Sequence, residues 1–254
     1  MPPARLRRFG RTLGGVAVLC LWCSILVSEA QQDPPVTIQI NYSPQNSNAA
    51  NGPTVPAQDT VVWLTQRGDP QQGASGDAEG VTKARARITQ HNKQFEPHVQ
   101  VVQVGTVIDF PNRDPFFHNV FSLFDGKRFD LGLYEAGSTN SVKFDRVGVS
   151  FLFCNIHPEM SAVVITVDTP YYTVTDHSGH AVLTNVPDGP YELHVWSERA
   201  QPEDLKKPRR IVGINATSRN LPPLLLADNP NFSSAHKNKY GQDYVPPPSN
   251  SYSH

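Results

Sequence analysis

Three residues that can bind a soft metal ion lie close together in the stretch FCNIHPEM, residues 153–160. Cys154 is followed by His157 and then by Met160, with two residues between each pair. The apolar run VSFLFC ends at Cys154 and the run SAVVITV begins near Met160, so the pattern predicts a strand, a tight loop and a second strand. A thiolate, an imidazole and a thioether in one loop favour copper, because a cysteine, two histidines and a long axial methionine form a blue-copper site.

The second histidine of such a site must come from elsewhere in the chain, and His118 is the best candidate. Residues 99–110 alternate like a strand, the polar turn PNRDP follows, and His118 opens the next apolar run, HNVFSL. This position can lie at the same end of a sandwich as the loop 154–160. Asn119 comes directly after His118, and we expect it to brace the ligand segments by hydrogen bonds or to place its backbone N–H on the cysteine sulfur.

The number of cysteines in the mature chain depends on the first thirty residues. Residues 1–30 combine four early arginines with the apolar run LGGVAVLCLWCSILV and end in Ser-Glu-Ala, which predicts a cleaved secretory signal peptide and a periplasmic or secreted protein. An uncleaved N-terminal anchor is the alternative. Cys20 and Cys23 lie in the apolar run, so Cys154 remains as the single cysteine after cleavage. A lone thiol in an oxidising compartment is buried and inert, paired with another chain, or bound to a metal.

The composition favours an all-β protein and argues against nucleic acid as a partner. The 23 prolines and 17 glycines suit turns between strands, and no long stretch has an apolar period of 3.6 residues. The whole chain has 22 basic and 23 acidic residues; without the four arginines and Glu29 of the leader, 18 and 22 remain, a net charge near −4. Phosphate binding needs a concentrated basic face. After the leader, no stretch is apolar enough to span a membrane.

The chain is expected to divide into four parts. Residues 1–30 are the signal peptide, and residues 36–168 form a first domain of alternating strands. Residues 169–227 form a smaller β-sandwich, in which the stretches TDHSGH and VPDGPYEL have the composition of hairpin turns. Residues 228–254 are rich in Asn, Ser, Pro and Tyr, which predicts a disordered tail.

The first domain resembles a cupredoxin of the plastocyanin/amicyanin type, and especially the bacterial plastocyanin-like and methylamine-utilisation-like proteins. The resemblance is carried by the motifs FEP, VGTVI, FPNRD, HNV, YEAG and VKF and by the short loop CNIHPEM. It implies a Greek-key sandwich with one type 1 copper that carries one electron at a time. The ligands implied by the resemblance are His118, Cys154, His157 and Met160.

The second unit has its own resemblance. Residues 169–227 resemble the carboxypeptidase-regulatory-like and transthyretin-like (prealbumin-like) modules that end many secreted bacterial proteins, and plastocyanin and amicyanin have no such module. This addition leaves open whether the protein is a free electron shuttle or a fixed relay in an assembly.

Three functions compete on the sequence. The first is an electron carrier between transient donor and acceptor redox proteins, with Ile156, His157 and Pro158 as the surface through which electrons pass. The second is a copper chaperone or sensor, and the third is a cupredoxin-like structural or interaction module without metal. The intact ligand set argues against the third, and the presence of only two methionines argues against an open chaperone site. The sequence pattern gives no sign of a catalytic triad, a phosphate loop or paired glycosidase carboxylates, so we expect no enzyme activity.

Overall fold

The computed structural model describes residues 33–43, 54–68, 84–123, 126–205, 210–229 and 236–244. The predicted signal peptide lies outside the described residues. Within these ranges the prediction of an all-β protein is confirmed, because strands make up almost all of the regular structure and the one helix is a single turn. No helix in the described ranges is long and apolar enough to cross a membrane.

The described elements follow the chain in this order: β1 (Val36–Ser43), β2 (Val55–Pro56), β3 (Val61–Gln66), β4 (Arg85–Arg87), β5 (Thr89–His91), β6 (Gln94–Glu96), β7 (Val99–Gln103), β8 (Val107–Pro111), β9 (His118–Ser122), β10 (Phe129–Tyr134), β11 (Thr139–Lys143), β12 (Gly148–Phe153), β13 (Ser161–Val167), β14 (Tyr172–Val174), β15 (His180–Leu183), β16 (Gly189–Trp196), α1 (Pro202–Leu205), β17 (Arg210–Ile214) and β18 (Leu224–Ala227).

The first sandwich contains the predicted metal ligands. Its larger sheet has the strand order β10-β9-β12-β13-β7, its smaller sheet has the order β11-β8-β4, and β5 and β6 form a separate hairpin. Alternate residues of β8 and β12 are buried, as expected for strands with one face on a core. The core between the two sheets includes Ile108, Phe110, Val120, Leu152 and Val164.

The second sandwich is built from both ends of the described chain. One sheet has the order β15-β1-β18, with β2 beside β1, and the other has the order β14-β3-β16-β17. Strand β1 alternates strictly between buried and partly buried residues. Its first half pairs with β15 in antiparallel fashion and its second half pairs with β18 in parallel fashion. The core between these sheets includes Ile38, Leu64, Leu183, Leu193 and Leu226.

This pairing corrects the predicted grouping of the strands. The predicted domain 36–168 groups residues 36–66 with the predicted metal ligands, but β1 and β3 pair only with strands of the second sandwich or with β2. An alternating pattern shows that a strand has one buried face, and it does not show which sheet receives that strand. The division of the chain into domains at residues 168 and 169 therefore does not describe the two sandwiches.

A third apolar cluster joins the two sandwiches. Six of the seven residues of β13 are buried, because both faces of this strand are covered. Val164 faces the core of the first sandwich, whereas Val163 and Ile165 belong to a cluster that also contains Val61 of β3 and Trp196 of β16. The Trp196 ring meets the Phe151 ring of β12 edge to face, with 6.2 Å between centroids. Strands β7, β12 and β13 of the larger sheet are thus covered on their outer side by the second sandwich.

Three further stretches differ from the sequence prediction. Residues 99–110 form two strands instead of one, because the chain turns at Gly105, where φ is +93°, and passes from the larger sheet to the smaller one. Strand β10 lies in the stretch SLFDGKRFDLGLYEAG, where we predicted none. Residues 236–244 lie within the predicted disordered tail, and the structure describes them with hydrogen bonds to the first sandwich.

Candidate metal centre

The pairing of β9 with β12 brings the three predicted nitrogen and sulfur ligands together. The two strands are antiparallel, with Phe121 opposite Phe153, so the beginning of β9 extends past the end of β12 and lies beside the loop that follows it. His118 is the first residue of β9 and Cys154 follows the last residue of β12. His118, Cys154 and His157 form a cluster in which one potential ligand atom of each residue lies within 4.8 Å of the others.

The potential ligand atoms form a compact triangle. The Nδ1 atoms of His118 and His157 are 3.2 Å apart, and the sulfur of Cys154 lies 3.8 Å from the first and 3.6 Å from the second. A point inside this triangle is about 2.1 Å from all three atoms, within the range of about 2.0–2.3 Å found for metal bonds to imidazole nitrogen and thiolate sulfur. The triangle therefore has the size of a trigonal metal site.

The loop that carries Cys154 and His157 is closed by its own backbone. It connects β12 to β13, whose register places Phe153 opposite Ser161. The N–H of Cys154 donates to the carbonyl of Met160 over 3.1 Å, and the N–H of Met160 donates to the carbonyl of His157 over 3.2 Å. The side chain of Met160 is fully buried and belongs to the same apolar cluster as Cys154. The loop thus keeps all three predicted ligand residues close together.

The orientation of the His118 ring is fixed by Asp114, which the sequence reasoning did not identify as a site residue. The Nε2 atom of His118 lies 2.7 Å from a carboxylate oxygen of Asp114, and both side chains are buried. Because a carboxylate only accepts hydrogen bonds, Nε2 carries the proton and the Nδ1 of the neutral ring presents its lone pair to the site. This arrangement of carboxylate, histidine and open nitrogen is the usual support of a metal-binding imidazole.

Asp114 is held in turn by the hairpin between β5 and β6. The two turn residues Asn92 and Lys93 have φ values of 54° and 58°, and their N–H groups donate to the Asp114 carboxylate over 2.7 Å and 2.9 Å. Burial acts to raise the pKa of Asp114, but the hydrogen bonds from Lys93, His118 and Asn92 outweigh it, and the pKa is lowered. The carboxylate is therefore ionised at neutral pH. The only sequence signal for this role is an Asp four residues before His118.

The sulfur of Cys154 is buried and faces several backbone donors. Burial raises the pKa of the Cys154 thiol, while the N–H groups of Asn119, Ile156 and His157 act in the opposite direction. A bound metal ion would outweigh the effect of burial, because a thiol that coordinates a metal loses its proton outright. The side chain of Asn119 points to β10 and donates to Asp130 and to the carbonyl of Gly132 over 2.8 Å and 2.9 Å.

The third potential ligand, His157, lies at the edge of the site near solvent. Its side chain is half-buried, and burial lowers its pKa, with His118 and Lys93 acting in the same direction. The ring of Phe116 covers both imidazoles, with centroid distances of 5.2 Å to His118 and 5.6 Å to His157. Phe116, the next residue Phe117, and Ile156 of the loop are 36%, 55% and 42% exposed. An apolar surface thus surrounds the accessible edge of the site.

Comparisons with solved structures find several copper proteins. A copper-containing nitrite reductase from Thermus scotoductus SA-01 is 21% identical over 33% of this chain, with a TM-score of 0.32, and the chain spans only 22% of that protein. A purple cupredoxin from Nitrosopumilus maritimus is 24% identical over 34% of this chain and all of its own length, with a TM-score of 0.30. A reduced amicyanin mutant is 21% identical over 41% of this chain and 99% of its own, with a TM-score of 0.31.

No protein-family model matches the sequence, and no curated protein matches it. The assignment of the site therefore depends on its own geometry.

The donor set fits a copper ion. When both imidazoles are neutral, the Nδ1 of His118 presents its lone pair to the Nδ1 of His157 at 3.2 Å and to the sulfur of Cys154 at 3.8 Å, so the three potential ligand atoms face one another. A metal ion inside the triangle satisfies all three. Two imidazoles and a thiolate in a trigonal arrangement, with a buried methionine in the same loop, match the ligand preference of copper better than that of zinc, for which a thioether is a poor ligand.

Proposed function

We propose that this protein is an extracytoplasmic type 1 copper protein, periplasmic or secreted, that transfers single electrons between redox partner proteins. The observation that carries the proposal is the triangle of His118 Nδ1, His157 Nδ1 and Cys154 Sγ, with sides of 3.2–3.8 Å. Met160 is proposed as a further, weak ligand because it closes the same loop and is buried in the same cluster as Cys154. The proposed role is electron transfer and not catalysis.

The residues of the chain provide the rigidity that such a role needs. Copper held by Cys154, His118 and His157 would supply one-electron chemistry through its +1 and +2 states. Asp114 fixes the His118 ring, and the two backbone bonds of the loop fix Cys154 and Met160. Because these supports belong to the fold, they would hold the ligand atoms at nearly the same positions with either oxidation state of the metal, which would keep the reorganisation small.

The exposed surface around His157 is proposed as the docking surface for both partners. Ile156 is 42% exposed, Pro158 is exposed, and Phe116 joins this surface to the two imidazoles. We expect Ile156→Lys to slow electron exchange with a redox partner while leaving the visible spectrum unchanged. An exchange rate equal to that of the unmodified protein would remove this surface from the proposal.

The second sandwich is proposed to be a transthyretin-like or carboxypeptidase-regulatory-like module completed by β1 and β3. It covers the outer face of the larger sheet through the third apolar cluster.

The experiment that tests the proposed function is a visible absorption spectrum of the mature protein loaded with copper(II). We expect an intense thiolate-to-copper band at about 600 nm. The Cys154→Ser variant should lack this band and retain the far-ultraviolet circular dichroism of the parent. A protein that binds copper without colour would favour a chaperone or sensor, and one that binds no copper would favour a structural module. Colour that survives in Cys154→Ser would exclude Cys154 as the ligand.

A further inference from the structure

Residues 236–244, which we call the strap, lie against the side of the first sandwich that carries Cys154. Three side chains make the attachment. The ring of His236 stacks on Phe153, with 4.2 Å between centroids and 29° between planes, and Lys239 and Tyr244 make hydrogen bonds. Between the strap and the sandwich lies a cavity of about 440 Å³ that is lined by Phe121, Leu123 and Phe153 on the sandwich side.

The shortest attachment reaches the cysteine itself. The hydroxyl of Tyr244 donates to the backbone carbonyl of Cys154 over 2.6 Å. Strand β12 ends at Phe153, so this carbonyl lies beyond the strand pairing that satisfies the carbonyls before it. The N–H of Cys154 donates to the backbone carbonyl of Met160. Both backbone groups of Cys154 are thus fixed, one by the loop and the other by the strap.

A second attachment links the strap to both segments that carry ligands. The N–H of Lys239 donates to the side-chain oxygen of Asn155 over 3.0 Å, and its Nζ reaches Asp130 over 2.8 Å. The other carboxylate oxygen of Asp130 accepts the bond from Asn119, the residue after His118. Through Lys239 the strap is therefore connected to the residue that follows each of two predicted ligands.

The strap is itself a folded segment. The side chain of Asn238 accepts hydrogen bonds from the N–H groups of Tyr240 and Gln242 over 2.9 Å and 3.0 Å, and the N–H of Gly241 donates to the carbonyl of Asn238 over 2.9 Å. The Tyr244 ring meets the His236 ring edge to face, with 5.4 Å between centroids. These bonds hold His236, Lys239 and Tyr244 on one side of the segment.

We infer that the strap holds the Cys154 loop in its metal-binding shape, and that Tyr244 is the positioning residue through which it acts. Tyr244 does not touch the metal position. It fixes the peptide group of Cys154, and the direction of that peptide group sets the direction of the Cys154 side chain. The inference rests on the proposed copper site for its effect on copper, whereas the docking of the strap is a property of the protein without metal.

The test compares two tyrosines of the same segment. Tyr244→Phe removes the hydroxyl on Cys154 and keeps the ring, and Tyr240→Phe is the matched control because Tyr240 is 70% exposed. In the copper-free full mature chain, we expect the amides of Cys154 and Asn155 to exchange hydrogen about fivefold faster in Tyr244→Phe, the size expected from the loss of one hydrogen bond. In the copper(II) protein, the thiolate-to-copper band and the reduction potential should shift in Tyr244→Phe only.

Lys239→Met, compared with Lys237→Met, provides a second measurement with the same readouts. Lys239 binds Asp130, whereas Lys237 pairs with Asp243 at the exposed side of the strap. Equal exchange rates and equal spectra in Tyr244→Phe and Tyr240→Phe would overturn the inference. If the unmodified protein binds no copper, the proposed function fails, and the exchange rates of the copper-free variants still decide whether the strap holds the loop.

Discussion

At the scale of single residues, the support of His118 decides how well the site is formed. Three donors converge on the Asp114 carboxylate: the N–H groups of Asn92 and Lys93 and the ring of His118. An asparagine at this position has one oxygen in place of two, so at least one of these three donors loses its partner. We expect Asp114→Asn to lower the free energy of unfolding by about 1–3 kcal/mol and the copper affinity by about 10–100-fold.

Urea unfolding of the copper-free protein and a competition titration with a copper chelator measure the two effects. Asp145→Asn is the matched control, because Asp145 pairs with Lys127 at an exposed position. If the Asp114→Asn variant has the same free energy of unfolding and the same copper affinity as Asp145→Asn, then Asp114 does not support the site.

The residues of the site differ in how far the sequence reveals them. Cys154 and His157 lie in one short loop, so residue type and spacing suffice to predict that they are neighbours. His118 lies 36 residues before Cys154, and it is predicted as a ligand from its position at the start of an apolar run. Tyr244 lies 90 residues after Cys154 in a segment of loop-like composition. Its contact depends on tertiary packing, which neither periodicity nor spacing records.

At the scale of elements, the sequence predicts the strands better than it predicts their partners. Most of the long strands of the first sandwich follow alternating runs, and the turn at Gly105 that divides residues 99–110 is the main interruption. The placement of β1 and β3 in the second sandwich has no local signal, because their partners lie more than a hundred residues further along the chain. Pairing of this kind depends on which complementary sheet edge is free, and that is a property of the whole fold.

The contact between β1 and the turn before β15 gives a prediction about the second sandwich. Gly179 has φ +79°, and a Cβ at this position would lie 2.3 Å from the carbonyl oxygen of Ile40. Gly137 has the same φ, and a Cβ there would meet nothing within 4 Å. Gly137→Ala should therefore lower the free energy of unfolding only by the cost of placing an alanine in the left-handed conformation, about 1–2 kcal/mol. Gly179→Ala should lower it by more, because β1 must also move.

Urea unfolding of the two glycine variants separates these contributions. Equal losses in the free energy of unfolding would mean that the overlap with Ile40 is relieved without cost, and that the joint between β1 and β15 does not limit the stability of the second sandwich.

At the scale of the whole molecule, an ion pair between the two sandwiches makes stability depend on pH. The Nε2 of His98 lies 2.6 Å from the carboxylate of Glu198, and its Nδ1 lies 3.0 Å from the carbonyl of Ser161. Two acceptors require a ring that is protonated at both nitrogens. The bond to Glu198 raises the pKa of His98 and outweighs burial, which lowers it; the Ser161 carbonyl and Asp59 also raise it.

The pKa of His98 in the folded protein is above its usual value. The ion pair therefore adds its full contribution to the free energy of unfolding below about pH 6.5, and this contribution is lost as the pH rises through the raised pKa. The pair is partly exposed, so the contribution is about 1 kcal/mol or less. We expect His98→Gln to be less stable than the parent at pH 6 and to approach it at pH 8 in urea unfolding. Exposed His177→Gln is the control, and a stability difference for His98→Gln that is independent of pH would contradict the assignment.

The third apolar cluster implies that the two sandwiches unfold together. Trp63 and Trp196, the two tryptophans of the described residues, lie on β3 and β16 of the second sandwich, whereas the proposed copper site lies in the first. In the copper-loaded protein, tryptophan fluorescence and the thiolate-to-copper band should therefore disappear at the same urea concentration, as expected for one cooperative unit.

A variant in the cluster tests this coupling. Ile165 is 2% exposed, so Ile165→Ala should lower the free energy of unfolding by about 2–5 kcal/mol. The urea midpoints of both signals should fall by the same amount. Ile211→Ala, at a position that is 61% exposed, should change neither midpoint. A tryptophan transition that precedes the loss of colour would show that the second sandwich unfolds by itself, and that its contact with the larger sheet adds little to the stability of the ligand-bearing strands.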